Sequence, residues 1–221
     1  MTTLEDSGET TLARRFSRAL RPPEKITCEF TRDAGLLHQY FRLREEMFIT
    51  TGASYITGKQ DEFDGASEII VARRGLHCVA GGRLTISAPS HRQALPMENK
   101  GIKSLDLIPE FMPDKRAYGE LSRLTVLPEF GETLPEIIRR VIKKAVAERV
   151  EYIFNIAPKP LAESARHAAQ LFGVNWEIRS GITVPDSEEY EGKMVLSIMD
   201  LTGHVRRPPA ARARREKVMA G

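Results

Sequence analysis

Four groupings of charged residues in this chain of 221 residues carry side chains that chemistry can use. Arg42 and Arg44 fall in one helix-like stretch, and Asp61 and Asp64 lie three apart in D-E-F-D. Arg83 sits inside a β-rich run, and Glu120, Ser122 and Arg123 share G-E-L-S-R-L-T-V-L. Carboxylates set among guanidinium groups can move protons and hold charged substrates. The same residue types also build purely structural ion pairs, and each grouping taken singly reads as ordinary solvated charge. It is their combination that points to a site. Competing chemistries lack their parts. The five histidines have no metal-ligand spacing, there is no G-x-S-x-G elbow or P-loop, and Gly81-Gly82-Arg83-Leu84 is no dinucleotide fingerprint. Cys28 and Cys78 are too few for a disulfide scaffold and lack zinc-site spacing, so both are expected as buried thiols.

The elements that must position these residues are legible in part. Leu36, Leu37, Tyr40, Phe41, Leu43, Met47 and Phe48 recur at helical spacing and predict an amphipathic helix over 33–48. Arg44 lies in the row 37, 41, 44, 48 and so leaves a largely apolar face, where a buried guanidinium needs a partner. Residues 50–66 read as a long loop rich in Gly, Thr and Asp. An antiparallel hairpin over 68–73 and 76–87 turns at Arg74-Gly75, and Gly81-Gly82 suggests a bulge or a close backbone approach. Residues 89–117 show little regular pattern. A strand over 119–127 ends at Pro128 and leads into a strong helix, for which Thr133 and Glu136 have capping-box spacing. A strand over 151–157, a helix over 161–172, a strand over 174–179 and a closing strand over 193–201 follow. This order implies an α/β class, an α+β sandwich in which helices flank a mixed, mostly antiparallel sheet.

Composition narrows the function classes. No window approaches the roughly 18 apolar residues of a membrane span, and the N-terminus lacks the apolar core of a secretory signal, so the cytoplasm is expected. One domain is expected over 26–203, between a flexible segment 1–25 and a disordered basic tail 204–221. That tail carries Arg206, Arg207, Arg212, Arg214, Arg215 and Lys217 against Glu216 alone, which exceeds the net charge of +3 of the whole chain. The remaining body is therefore net acidic, and nucleic acid is not the expected partner.

The charged groupings, taken in order, resemble a family. Leu43, Arg44 and Phe48, then Asp61 and Asp64, then Arg83-Leu84, then Glu120, Ser122, Arg123, Leu124 and Val126 are similar to the pattern of acyl-homoserine-lactone synthases, the autoinducer synthases of quorum sensing. Ser54 beside Tyr55 stands where that family carries a tryptophan. The resemblance implies the GNAT acyltransferase fold and transfer of an acyl group from a thioester to the amine of S-adenosylmethionine, giving an N-acyl-homoserine lactone with loss of methylthioadenosine. It implies no permanently bound cofactor and no metal, with S-adenosylmethionine and an acyl-phosphopantetheine as substrates. The related N-acyl amino acid synthases share part of the pattern and are the alternative. A non-catalytic GNAT-like module that binds nucleic acid through its Arg tail is the alternative from another class.

Amide formation from a thioester needs a base for the amine and groups that hold charge. Glu120 is the expected base, directly or through a water. Arg123 and Arg83, with Ser122, are expected to organise the pocket. Arg44, Phe48, Asp61 and Asp64 are expected around the amine substrate, the two aspartates either binding a cationic group or pairing with Arg44 and Arg123. Residues three apart on a regular strand point to opposite faces, so Glu120 and Arg123 share a pocket only if the strand is bulged. The resemblance predicts that bulge. The turn Glu129-Phe130-Gly131-Glu132 holds two acids where a coenzyme A pyrophosphate would sit, which favours an acyl-carrier protein as donor. Arg139, Arg140, Lys143 and Lys144 are the expected docking patch for that acidic partner.

Overall fold

Alternation of Ile26, Cys28 and Phe30 with Thr27, Glu29 and Thr31 forms a short edge strand, β1 (Ile26–Thr31), which the sequence-based order above lacks. The computed structural model describes residues 25–50, 58–184 and 194–205. After β1 come α1 (Ala34–Thr50), the one-turn helix α2 (Glu62–Ala66), β2 (Glu68–Arg74) and β3 (His77–Ser87). Two short helices, α3 (Pro96–Asn99) and α4 (Ser104–Leu107), precede β4 (Ala117–Val126). Then follow α5 (Leu134–Ala147), β5 (Val150–Pro158), α6 (Lys159–Gln170), β6 (Asn175–Arg179), β7 (Met194–Asp200) and α7 (Thr202–Val205). The strands form one sheet in the order β1-β2-β3-β4-β5-β7-β6, and only β4 and β5 run parallel. This is the mixed, mostly antiparallel sheet expected.

Period-2 alternation divides the core between the two faces of the sheet. Ile70, Leu84, Leu121 and Ile153 look toward α5 and α6, where Ile137, Ile138, Val141, Ala165 and Ala169 complete the larger core. Their neighbours look the other way. Ile69 and Val71 meet Tyr40 of α1, while Tyr118, Phe154, Leu196 and Ile198 meet Leu95, Met97 and Phe111 around α3 and α4. Glu120 and Ser122 alternate with Leu121 and so belong to this second face. Cys28 is buried and Cys78 half-buried, and burial pushes both thiols up to about 12, which leaves them protonated and unreactive.

Three local expectations change. The loop over 50–66 contains α2, whose first-turn amide is capped by Asp61, the carboxylate accepting from Phe63 N at 3.0 Å. Residues 51–57 lie outside the described residues. The stretch 89–117 holds α3 and α4, each of four residues and too short to show a period. The capping box at Thr133 and Glu136 does not form. A 3-10 turn, Pro128–Thr133, runs directly into α5, so Thr133 has helical φ and ψ of −76° and −22° in place of the extended backbone an N-cap uses. Its hydroxyl donates to Phe130 O at 2.8 Å, and Glu136 instead grips Arg139 and Arg140. At the other end α7 reaches Val205, across residue 204, and residues 1–24 and 206–221 lie outside the described residues. Among the described residues no helix is long and apolar enough to cross a membrane.

Gly81 seats α1 on the sheet. A Cβ there would lie 2.5 Å from Tyr40 Cδ2 and 2.8 Å from Ile70 O. Gly81→Ala is therefore expected to cost roughly 1–3 kcal/mol of stability through overpacking, read from the midpoint of urea unfolding. An unchanged midpoint would mean that both α1 and the β2 backbone at Ile70 give way freely.

Candidate active site

The expected bulge is present in β4. The ladder to β3 passes from Arg83↔Ser122 to Gly81↔Thr125, so Arg123 and Leu124 together face Gly82. Arg123 adopts φ 55°, a left-handed conformation that is costly for a residue with a side chain. Its carbonyl is fixed by hydrogen bonds from Tyr40 OH at 2.8 Å and Thr125 Oγ1 at 3.1 Å. The bulge lets Glu120, Ser122 and Arg123 line one cavity.

That cavity, of about 520 Å³, lies where β4 and β5 part. Their parallel ladder runs only from Ala117↔Val150 to Glu120↔Phe154. Immediately beyond, the Asn155 side-chain amide donates to Leu121 O at 2.7 Å and bridges the gap. Asp61, Arg83 and Phe48 line the charged part of the cavity, and Leu124, Ile156, Leu161 and Met194 line an apolar part. Since Leu161 belongs to α6, the cavity reaches through the sheet toward the face that α5 and α6 cover.

An alternating chain of charges organises the rim. Arg44 is fully buried and binds Asp64 with both terminal nitrogens, at 3.0 and 2.9 Å; its Nε donates to Gly58 O at 2.5 Å, and it also donates to Lys59 O. Asp64 accepts further from Arg83 Nη1 at 3.1 Å and from the Asp61 amide at 2.9 Å. Burial pushes the Asp64 carboxyl up. Hydrogen bonds from Arg44 and the Asp61 amide, with the charges of Arg44 and Arg83, outweigh burial and hold it below the usual carboxylate range. Asp61 joins Arg83 to Arg123, accepting from Arg83 Nη1 and, at 3.1 Å, from Arg123 Nη2. Arg83 Nε donates to Ser122 Oγ at 3.1 Å, and the Phe48 ring lies 5.4 Å from the Arg123 guanidinium. Arg44 and Asp64 are thus not among the residues lining the cavity; they hold Asp61 and Arg83, which are.

Glu120 has the most perturbed acid–base chemistry of the group. It is buried, and its Oε2 accepts the Met97 N–H at 2.7 Å. Burial raises its carboxyl to about 7 against the opposing pull of the Met97 amide, Arg83 and Lys100, with Glu98 adding a smaller upward push. A carboxyl poised near neutrality in a cavity is suited to taking a proton from an ammonium group and passing it on.

No protein-family model matches the chain, and no curated protein matches it. Solved structures do. An AHL synthase, LasI, superposes with TM-score 0.54 at 10% identity, over 80% of this chain and 91% of its own. TofI, solved in a ternary complex with an inhibitor and MTA, gives 0.54 at 14% identity over 84% and 98%. FeeM, an N-acyl amino acid synthase from uncultured soil microbes, gives 0.55 at 11% identity over 84% and 94%. The chain has the GNAT-like fold of the acyl-homoserine-lactone synthases.

Within this fold the four basic residues expected to dock a carrier protein lie on α5, and none is among those lining the cavity. Arg139 and Arg140 share Glu136, and Lys144 pairs with Glu68 and Glu148, so Lys143 is the member for which no ion pair is seen among the described residues. The acidic turn after β4 is the 3-10 segment that feeds α5. Ser54 and Tyr55 lie outside the described residues. Two contributors escaped the sequence reading. Asn155 carried a signal, a lone amide inside the apolar run Y-I-F-N-I-A, whereas the Met97 N–H is a backbone group that residue type does not reveal.

Proposed function

We propose that the chain is an N-acyltransferase that moves an acyl group from a carrier thioester to an amine, S-adenosylmethionine in the leading reading. The observation that carries this is Glu120, a buried carboxyl raised to about 7 on the wall of the cavity that the bulge and the parted strands create. The amine enters as an ammonium ion and gives its proton to Glu120. Its lone pair attacks the thioester carbonyl, the tetrahedral oxygen develops beside Arg123 and Ser122, and collapse expels the thiolate, which takes up a proton. With S-adenosylmethionine, the substrate's own carboxylate oxygen then displaces the sulfonium group, closing the lactone and releasing methylthioadenosine.

Phe48 and Asp61 face the amine in this reading, with Arg44, Asp64 and Arg83 fixing their places. The acyl chain follows Leu124, Ile156, Leu161 and Met194. The donor arm enters from the side of α5 and α6, and Arg139, Arg140, Lys143 and Lys144 meet an acidic acyl-carrier protein there. Acylation of an ordinary amino acid is the second reading. It is favoured by Asp61, which already balances Arg83 and Arg123 and so has less charge to offer a sulfonium.

The test is a transfer assay on purified protein with acyl-carrier thioesters and S-adenosylmethionine, following free thiol and methylthioadenosine by mass. Both products are expected in equal amounts. Thiol that appears only with another amine would move the assignment to the second reading. Absence of turnover with every amine and with both carrier and coenzyme A thioesters would overturn the enzyme reading in favour of a binding module.

A further inference from the structure

Two successive inward-facing residues of β4 hold the short helix α3 at two successive positions. Glu120 Oε2 accepts the Met97 N–H at 2.7 Å. Tyr118, two residues earlier on the same face, donates its hydroxyl to Glu98 Oε1 at 3.2 Å. Ser104 Oγ, at the start of α4, donates to the same oxygen at 3.2 Å, and Glu98 Oε2 accepts the Leu95 N–H at 2.9 Å. Glu98 therefore ties together β4, the entry to α3 and the start of α4. An isolated helix of four residues does not hold its own shape. Its place beside Glu120 depends on such external ties.

With Oε2 engaged by Met97, Oε1 is the oxygen of Glu120 left to meet an amine. We infer that Glu98 is a positioning residue for Glu120, fixing α3 through Tyr118, Ser104 and the Leu95 amide so that the Met97 N–H orients the Glu120 carboxylate in the cavity. This deepens the proposed function and rests on Glu120 being its base. The charged groups acting on Glu120 agree with a close coupling. Burial dominates its upward shift, Arg83 from β3 and Lys100 after α3 pull it down, and Glu98 of α3 pushes it up, while Asp61 and Arg123 line the same cavity. Loss of the Glu98 charge alone moves the Glu120 titration to lower pH, and loosening of the Met97 N–H moves it to higher pH.

The test compares Glu98→Gln, which loses the charge and one acceptor, with Tyr118→Phe, which loses only the hydroxyl, each in the full chain. Amide hydrogen exchange of Met97 and NMR titration of Glu120 in glutamate-labelled protein are the readouts. Met97 is expected to exchange at least about tenfold faster in both variants. The Glu120 midpoint is expected to rise in Tyr118→Phe, which weakens the Met97 hydrogen bond but keeps the Glu98 charge, and to rise less in Glu98→Gln, where loss of that charge offsets part of the shift. In the transfer assay kcat is expected to drop about tenfold, with KM changed less than about threefold. Met97 exchange unchanged in both variants overturns the inference whether or not turnover has been found, as does faster exchange with kcat at the wild-type value. If Glu98→Gln does not fold, Tyr118→Phe decides the exchange result alone. Activity retained by Glu120→Gln would sink the base assignment while leaving the Met97 exchange result to stand separately.

Discussion

With Glu120 as the proposed base, Glu120→Gln is expected to lower kcat by about 10³-fold, in the range a positioned general base supplies, with the fold retained and KM little changed. Glutamine keeps the shape and an acceptor for the Met97 N–H and removes only the capacity to take a proton. On that proposal the ionised carboxylate is the working form, so kcat is expected to rise as pH passes about 7 and then level. The stability effect has its own sign. A carboxyl raised from 4.5 to about 7 holds its proton more tightly in the folded state. Its contribution to stability is fully present below the unfolded value and declines as pH rises through the folded one. Glu120→Gln therefore gains stability relative to wild type between pH 5 and pH 8, a difference that thermal unfolding at the two pH values reads directly. Full turnover by the variant would remove Glu120 from the chemistry.

Asp64→Asn has the opposite character: a large loss of stability. Asp64 has no exposed side-chain surface and faces two buried arginines, Arg44 and Arg83. Removing its charge leaves the buried Arg44 without a carboxylate and takes one of two from Arg83, which keeps Asp61, at a cost of about 3–5 kcal/mol, measured as a lower urea midpoint. The carboxyl sits below the usual range, so its stabilisation is present above the unfolded value of 3.8 and is lost as pH falls through the lower folded one. The wild type should weaken steeply in acid over that window, and Asp64→Asn should lack this step. A variant as stable as wild type would mean that Asp64 contributes nothing to holding Arg44 and Arg83.

The sequence exposed what periodicity and composition encode. The helix carrying Arg44, the hairpin with Gly81-Gly82 and the amphipathic α5 each show a repeat over many residues, and Arg44's place in an apolar row foretold a buried partner. The family resemblance supplied the bulge, which no local pattern in E-L-S-R-L displays. D-E-F-D illustrates a different limit. Its spacing is that of a ligand pair and equally that of a helix N-terminus, and here Asp61 caps α2 while Asp64 accepts the Asp61 amide. Thr133 and Glu136 have the same ambiguity in reverse, because the 3-10 turn preceding α5 decides the backbone angle at Thr133. A piece as short as α3 lacks the length to reveal a period, and it supplies the amide that reaches Glu120.

The parting of β4 and β5 has a consequence for cohesion. That junction holds four register pairs, against seven between β3 and β4 and seven between β5 and β7. The shortest ladder of the sheet therefore borders the cavity, between a four-stranded meander and a three-stranded remainder. A ligand spanning that junction does double duty as a missing rung. Saturation at a hundred times Kd adds about 2.7 kcal/mol to the folded state, through contacts to both sides of that short ladder.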